Sequence, residues 1–271
     1  MTDKNNKANG IARHWIGGDW RDSAEHHDSI NPATGEIIGQ YAVAGREETS
    51  EAVNTALKAF RETEWKADHA LRSRVLNEMA DRFEARATDL IQLLSTENGK
   101  IVPEATFEVA IVPATLRYSA ALALTDHGRA AERQPGQFSM LVREPLGVAG
   151  ISVPWNSPVA LLIRSLAPAL GAGCTTVVKM PEETAQLNAL ISQVISEVKS
   201  LPVGVVNMVT GSREALSFLV ESPDVPTISF TGSTQTGRAI SAAGAAHLKR
   251  FGLELGGKTP MLIFDDFAAP V

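Results

Sequence analysis

From residue 147 onward, short apolar runs alternate with amphipathic ones, and few architectures accommodate that order. Strand-like runs fall at 148–153, 175–179, 205–209, 227–231 and 250–255, with a further one at 261–264. Helical periodicity fills the intervals at 159–170, 184–199, 214–221 and 234–246. Runs such as Thr175-Thr176-Val177-Val178 have no polar face to present to water. They predict a parallel sheet covered by helices on both faces, built from successive βαβ units. The fold class expected is α/β, a Rossmann-like parallel sheet with flanking helices. Sheets of this kind bind ligands just beyond the carboxyl ends of their strands. That rule gathers residues 154–156, 179–182, 211–212, 231–233 and 255–257 on one rim.

The preceding residues follow other patterns. Residues 1–10 are polar and aperiodic and predict a disordered lead. Residues 11–127 form a helical N-terminal part of the same domain. Its turn-rich entry is punctuated by Gly17-Gly18-Asp19 and Asn31-Pro32-Ala33-Thr34-Gly35. Helical periodicity then runs from Arg46 to Lys100, and a further helix is expected over 103–124. At 128–146, Pro135-Gly136 between short extended runs predicts a β-hairpin excursion. Residues 147–271 carry the parallel sheet.

A net charge of −6 is the wrong sign for a nucleic-acid or anionic-membrane partner. The N-terminus lacks the apolar core of a secretory signal, and apolar stretches are cut by residues such as Arg164 and Pro168. A cytoplasmic protein without a membrane partner is expected. The one cysteine, Cys174, allows neither an intrachain disulfide nor a cysteine zinc site. The six histidines lack ligand spacing, so no metal is expected.

The residues suited to chemistry concentrate on the rim. Glu254 sits in Phe251-Gly252-Leu253-Glu254-Leu255-Gly256-Gly257-Lys258, where desolvation would suit a carboxylate to general-base work. The letters from 252 to 259 also match a P-loop, but Pro260 follows where a helix must open and a carboxylate occupies the phosphate nest. The P-loop is therefore rejected. The G-x-G-x-x-G fingerprint is absent too, because Thr176 stands where a third glycine would follow Gly171 and Gly173. Phe230-Thr231-Gly232-Ser233-Thr234-Gln235-Thr236-Gly237 reads either as a pyrophosphate site on free helix amides or as an ordinary N-cap. Lys179 and Glu182 read either as partners of ribose hydroxyls or as a surface ion pair. Asn156, in Pro154-Trp155-Asn156-Ser157-Pro158, either stabilises an oxyanion or closes an Asx turn. Cys174, among apolar and β-branched neighbours with no local base, reads as a small buried residue.

In order and spacing these segments resemble those of the NAD(P)+-dependent aldehyde dehydrogenases. The resemblance rests on Pro154-Trp155-Asn156, Val177-Val178-Lys179 with Glu182, the 230–237 segment and Leu253-Glu254-Leu255-Gly256-Gly257-Lys258. Ile16-Gly17-Gly18 and Asn31-Pro32-Ala33-Thr34-Gly35 extend it, so it runs from about Trp15 to the end. It implies an oxidoreductase that converts an aldehyde to a carboxylic acid through a cysteine thiohemiacetal and thioester. The cofactor implied is NAD, with NADP as the variant; Glu182 favours NAD because a carboxylate repels a 2′-phosphate. By the resemblance Asn156 would be the oxyanion-stabilising amide and Glu254 the general base. Lys179 and Glu182 would hold the adenosine ribose, with Gly232 and Ser233 at the pyrophosphate. Ile151, Ser152, Pro154, Trp155, Gly211, Gly237 and Leu255 would line the rest of the cofactor site. The hairpin matches the family's oligomerisation excursion and implies a homo-oligomer.

Three departures set the expectation for this chain. In the family the nucleophilic cysteine follows the glutamate in a Gly-Gln-x-Cys context, which would fall past Val271, and Cys174 stands elsewhere. The expectation is a truncated, split or cropped chain: the cofactor-binding half, with the catalytic domain absent and no activity by itself. The alternative is a non-enzymatic NAD-binding or subunit-interaction module. Ser157 stands where many members carry an aromatic, and the loop after Val209 is short. The face around Glu254 is expected to expose an apolar patch.

Overall fold

The computed structural model describes residues 10–126 and 128–267, so the lead expected over 1–10 lies, apart from Gly10, outside the described residues. The entry segment supplies five short strands: β1 (Ile11–Ala12), β2 (His14–Ile16), β3 (Asp19–Arg21), β4 (His26–Ile30) and β5 (Ile37–Ala42). Five helices follow: α1 (Arg46–Glu62), α2 (His69–Ala85), α3 (Ala87–Asn98), α4 (Val102–Ala110) and α5 (Val112–Thr125). α3 stops where Gly99 takes a left-handed conformation, φ 79°, as a C-terminal glycine does. The single helix expected over 103–124 is two. Pro113 cannot donate to the carbonyl of Val109, and the chain restarts at Val112 with proline in the tolerated first turn. By length and composition Val102–Thr125 is apolar enough to cross a membrane. Its Val112, Leu116 and Ala120 are nevertheless buried in the main core beside Leu76 of α2 and Leu166.

The hairpin is β6 (Gly128–Gln134) and β7 (Gln137–Val142), with Gly136 at positive φ in the turn. Both faces are exposed, including Phe138, Met140, Leu141 and Val142. The alternating region is β8 (Val148–Ser152), α6 (Pro158–Gly171), β9 (Thr175–Met180), α7 (Ala185–Ser196), β10 (Val206–Thr210), α8 (Arg213–Glu221), β11 (Thr227–Thr231), α9 (Thr234–Gly244) and β12 (Arg250–Glu254).

Among the described residues the main sheet has seven strands in the order β12-β11-β8-β9-β10-β2-β3. The run from β12 to β10 is parallel, and β2 and β3 extend it antiparallel. From β8 the chain steps outward through β9 to β10, then crosses back to β11 and β12 on the other side. The topological switch point therefore lies between β8 and β11, where a doubly wound sheet opens a crevice. Val177 and Val178 point to opposite faces and are both fully buried. Val178 joins the core with Leu162 and Ile191, and Val177 joins Val53 and Leu219. Each contributes about 2 kcal/mol by leaving water.

The strand expected over 261–264 is absent, and residues 255–264 carry no regular structure. Among the described residues β12 pairs with β11 alone, and no strand lies beside Met261, Leu262, Ile263 and Phe264 to complete a ladder. These four side chains are exposed, as the expected apolar patch requires.

Candidate active site and ligand cleft

Strand register brings the expected residues onto one rim. Phe230, Ser152, Lys179 and Val209 stand opposite one another across β11, β8, β9 and β10, and Thr231 stands opposite Glu254. Glu254 and Lys179 are three strand spacings apart, about 14 Å. The rim is therefore long enough for a ligand with two separated ends.

Its β9 end opens on a cleft of about 610 Å³ between α8 and α9. Leu216, Val220 and Ile240 form apolar walls, Ala239 and Ala243 leave room between the helices, and Lys179, Ser212, Arg213 and Gln235 supply polar edges. Burial lowers the Lys179 ammonium pKa, against the attraction of Glu183 and Glu182. Among the described residues the Lys179 ammonium has no ion pair or hydrogen bond, so its donors are free for an acceptor in the cleft.

Glu182 does not line that cleft. Its side chain belongs to a second cavity, of about 510 Å³, with Tyr41, Glu97, Asn98 and Trp155. There it faces the Tyr41 hydroxyl, whose pKa is raised to about 12 by burial and by the carboxylates of Glu182, Glu183 and Glu97. One oxygen, Oε1 of Glu182, is buried without a hydrogen-bond partner among the described residues.

At the switch point, Ser233 caps α9 by accepting the Thr236 amide at 3.1 Å, and its hydroxyl also meets Thr236 Oγ1 at 2.9 Å. The capping alternative is thus realised, while other amides of that first turn stay open to a ligand. The Gly232 amide donates to the Glu254 carbonyl at 3.0 Å and ties β11 to β12. Gly237 and Gly211 serve packing. A Cβ on Gly237 would lie 2.7 Å from the Leu255 side chain, and one on Gly211 2.7 Å from the Ala44 carbonyl oxygen.

Ile151 and Ser152 are buried in β8; Pro154 is half-buried, and Trp155 and Asn156 are exposed beyond it. Asn98 Nδ2 donates to the Trp155 carbonyl at 2.6 Å and braces this loop. The amide of Asn156 makes no side-chain hydrogen bond among the described residues. Ser157 accepts from Lys100 Nζ at 3.1 Å, and Lys100 also pairs with Glu108. Glu108 in turn accepts the Val159 amide at 2.8 Å and the Ala160 amide at 3.2 Å, capping α6 from another helix.

Glu254 is not desolvated as its apolar surroundings predict. Its side chain is 66% exposed, because β12 is the sheet edge. Arg164 of α6 reaches it at 3.9 Å and donates to Thr231 Oγ1 at 3.0 Å. Cys174 precedes β9, at the strand end opposite Lys179, and is buried; desolvation raises its thiol pKa. It cannot meet Asn156 or Glu254.

A family model described as "Aldehyde dehydrogenase family" matches residues 20–269. This chain belongs to the aldehyde dehydrogenase family. Its curated relatives include mitochondrial succinate-semialdehyde dehydrogenase of Arabidopsis thaliana, 39% identical over 93% of this chain and 48% of the relative. Betaine aldehyde dehydrogenase of Hordeum vulgare is 38% identical over 94% of this chain and 52% of the relative. Among solved structures, betaine aldehyde dehydrogenase from Staphylococcus aureus in complex with NAD+ superposes with a TM-score of 0.89 at 30% identity, over 97% of this chain and 52% of that one. A putative aldehyde dehydrogenase from Burkholderia cenocepacia gives 0.87 at 37% identity, over 94% and 52%. The chain spans about half the length of the curated relatives it matches.

Sequence reasoning missed the walls of this family member's cleft. Leu216, Val220 and Ile240 have the helical spacing of ordinary core residues, and only the gap between α8 and α9 separates them from one. The small pair Ala239 and Ala243, on one face of α9, was the available signal.

Proposed function

We propose that this chain forms the dinucleotide-binding half of an enzyme that oxidises an aldehyde to a carboxylic acid, with NAD+ as ligand. The observation carrying this is the cleft between α8 and α9, apolar on its walls with the unpartnered Lys179 ammonium at its edge. Its volume is that of a small-molecule pocket. The apolar walls suit adenine, Lys179 suits ribose hydroxyls, and the α9 N-terminus at Ser233 suits a pyrophosphate at the switch point. When bound, the dinucleotide supplies a hydride acceptor. Asn156 is then the amide that donates to a developing oxyanion, and Glu254 the carboxylate that takes a proton from water. The substrate is an aldehyde, and the exposed β6–β7 ribbon is the surface for assembly with further copies.

For these 271 residues alone we take the chain as a binding module, because Cys174 lies at the wrong end of β9. Mixed with NAD+ and aldehydes, it should form no NADH; steady NADH formation lost on heating would refute that. Calorimetric titration of NAD+ into the folded chain tests the binding itself. Saturable binding is expected, weakened about tenfold in Lys179→Ala. A folded chain that gives no heat at millimolar NAD+ would sink the proposal.

A further inference from the structure

Among the described residues β12 is an edge of the main sheet, and its outer side is complementary to a copy of itself. The Arg250 amide donates to the Pro226 carbonyl at 2.9 Å, and the Glu254 carbonyl accepts the Gly232 amide at 3.0 Å. Arg250 and Glu254 therefore turn backbone groups inward, toward β11. Successive residues of a strand turn to opposite sides, so Phe251 and Leu253 hold their N–H and C=O outward, where no strand among the described residues takes them up.

The side chains divide in the same register. Phe251 is half-buried against the cluster that contains Ile240 and Phe230, and Leu253, two residues on, shares its face and is exposed. Arg250, Gly252 and Glu254 lie on the other face, all exposed. Arg250 makes no ion pair among the described residues, and the pair of Glu254 with Arg164 is open at 3.9 Å.

Read backwards, Arg-Phe-Gly-Leu-Glu presents the complement of itself. With two copies antiparallel about an axis at Gly252, each outward residue meets an outward residue. Phe251 stands opposite the partner's Leu253, and such a pair exchanges both N–H···O bonds. Arg250 stands opposite the partner's Glu254, in the non-hydrogen-bonded position where side chains approach most closely. Parallel pairing would set Arg250 against its own copy, and a slip of two residues would set it against glycine. Charge thus selects one two-fold register.

We propose that the outer edge of β12 is an interaction surface for a second copy of this chain, paired antiparallel about Gly252. It is separate from the β6–β7 ribbon. It does not depend on the dinucleotide reading, because this edge faces away from β11 and β8. A five-residue strand makes a small contact, so the dissociation constant is on the order of 10–100 µM.

Sedimentation equilibrium of the 271-residue chain measures the pair, in an F138K/M140K background that keeps ribbon contacts out of the reading. A dimer is expected. Arg250→Glu or Glu254→Arg sets like charges opposite each other and should weaken it about tenfold. R250E/E254R together restores opposite signs and should return the affinity to within about threefold. Gly252→Cys reads the register, since Cα atoms in such a position lie about 4.5 Å apart, within reach of a disulfide. Two thiols then form one disulfide while oxidised glutathione takes up their hydrogens and becomes two glutathione thiols. A covalent dimer is expected on a non-reducing gel. Arg250→Cys should give none, its counterpart lying about 13 Å away, and the buried Cys174 leaves the parent chain unlinked. A parent chain that stays monomeric at about 1 mM would overturn the proposal. So would a charge swap that fails to restore affinity, or Arg250→Cys linking as readily as Gly252→Cys.

Discussion

Glu97 offers a sharp test of how distant residues hold the rim in place. It lies in the last turn of α3 and is 3% exposed. Its carboxylate accepts the Ser29 hydroxyl at 2.5 Å and the amides of Gln186 and Leu187, each at 2.8 Å. Those amides belong to the first turn of α7, whose own N-cap, Thr184, makes no side-chain cap bond. A helix start leaves its first amides unsatisfied and favours negative charge nearby. Glu97 therefore replaces a local cap from another helix. Glu97→Ala would strand two buried amides and a hydroxyl. Each unpaired group costs about 1–3 kcal/mol, and entering water would relieve part, leaving a loss of about 3–4 kcal/mol. Glu97→Gln keeps the shape but turns one acceptor into a donor facing donors, for a loss of about 2 kcal/mol. Urea unfolding followed by far-UV circular dichroism measures both through the midpoint, with the slope as control. The expected order is wild type, then Gln, then Ala. An Ala variant within about 1 kcal/mol of wild type at equal slope would refute the capping role.

Further outcomes follow from other sites. His14 is held neutral by burial, its pKa lowered to about 4 from the ordinary 6.5, with the Thr210 amide donating to Nδ1 at 3.2 Å. The unfolded chain takes up that proton first, so His14's contribution is full above pH 6.5 and falls by about 3 kcal/mol as the pH drops toward 4. His14→Gln should flatten this part of the stability–pH curve, and an unchanged slope would exclude His14 as its source. Gly211, which forms an isolated parallel β-bridge with Ala44, would on Gly211→Ala place a Cβ about 2.7 Å from the Ala44 carbonyl oxygen and should cost about 1–3 kcal/mol in thermal unfolding; an unchanged Tm would mean that this bridge yields freely. The exposed β7 residues Phe138 and Met140 share one face of the ribbon. Light scattering should show self-association of the wild type that the double variant F138K/M140K reduces, and equal masses would place the contact elsewhere.

Much of the sheet was legible because its signals are local. The runs at 175–179 and 227–231 match β9 and β11 within a residue: β9 is buried on both faces along an unbroken run, and β11 alternates buried Ile228 and Phe230 with half-buried Thr227, Ser229 and Thr231. α9 starts at Thr234 because Ser233 caps it, and α3 ends because Gly99 accepts positive φ. β2 and β3 were not legible. Three residues such as His14-Trp15-Ile16 show no period, and their place beside β10 depends on a partner almost two hundred positions away. The 261–264 run has strand-forming side chains and no strand to pair with, so its propensity goes unused.

The sequence by itself determined the α/β order, the strand ends on one rim, and the family to which Asn156, Lys179, Ser233 and Glu254 point. Only the tertiary structure decided how those groups are presented. Glu254 stays in water because β12 is an edge, Glu182 lines a neighbouring cavity with Tyr41, and Arg213 lines the cleft beside Lys179. Periodicity and capping are set within a few residues by backbone geometry. Exposure, charge neighbours and cavities are set by which elements pack together, and that is a property of the whole chain.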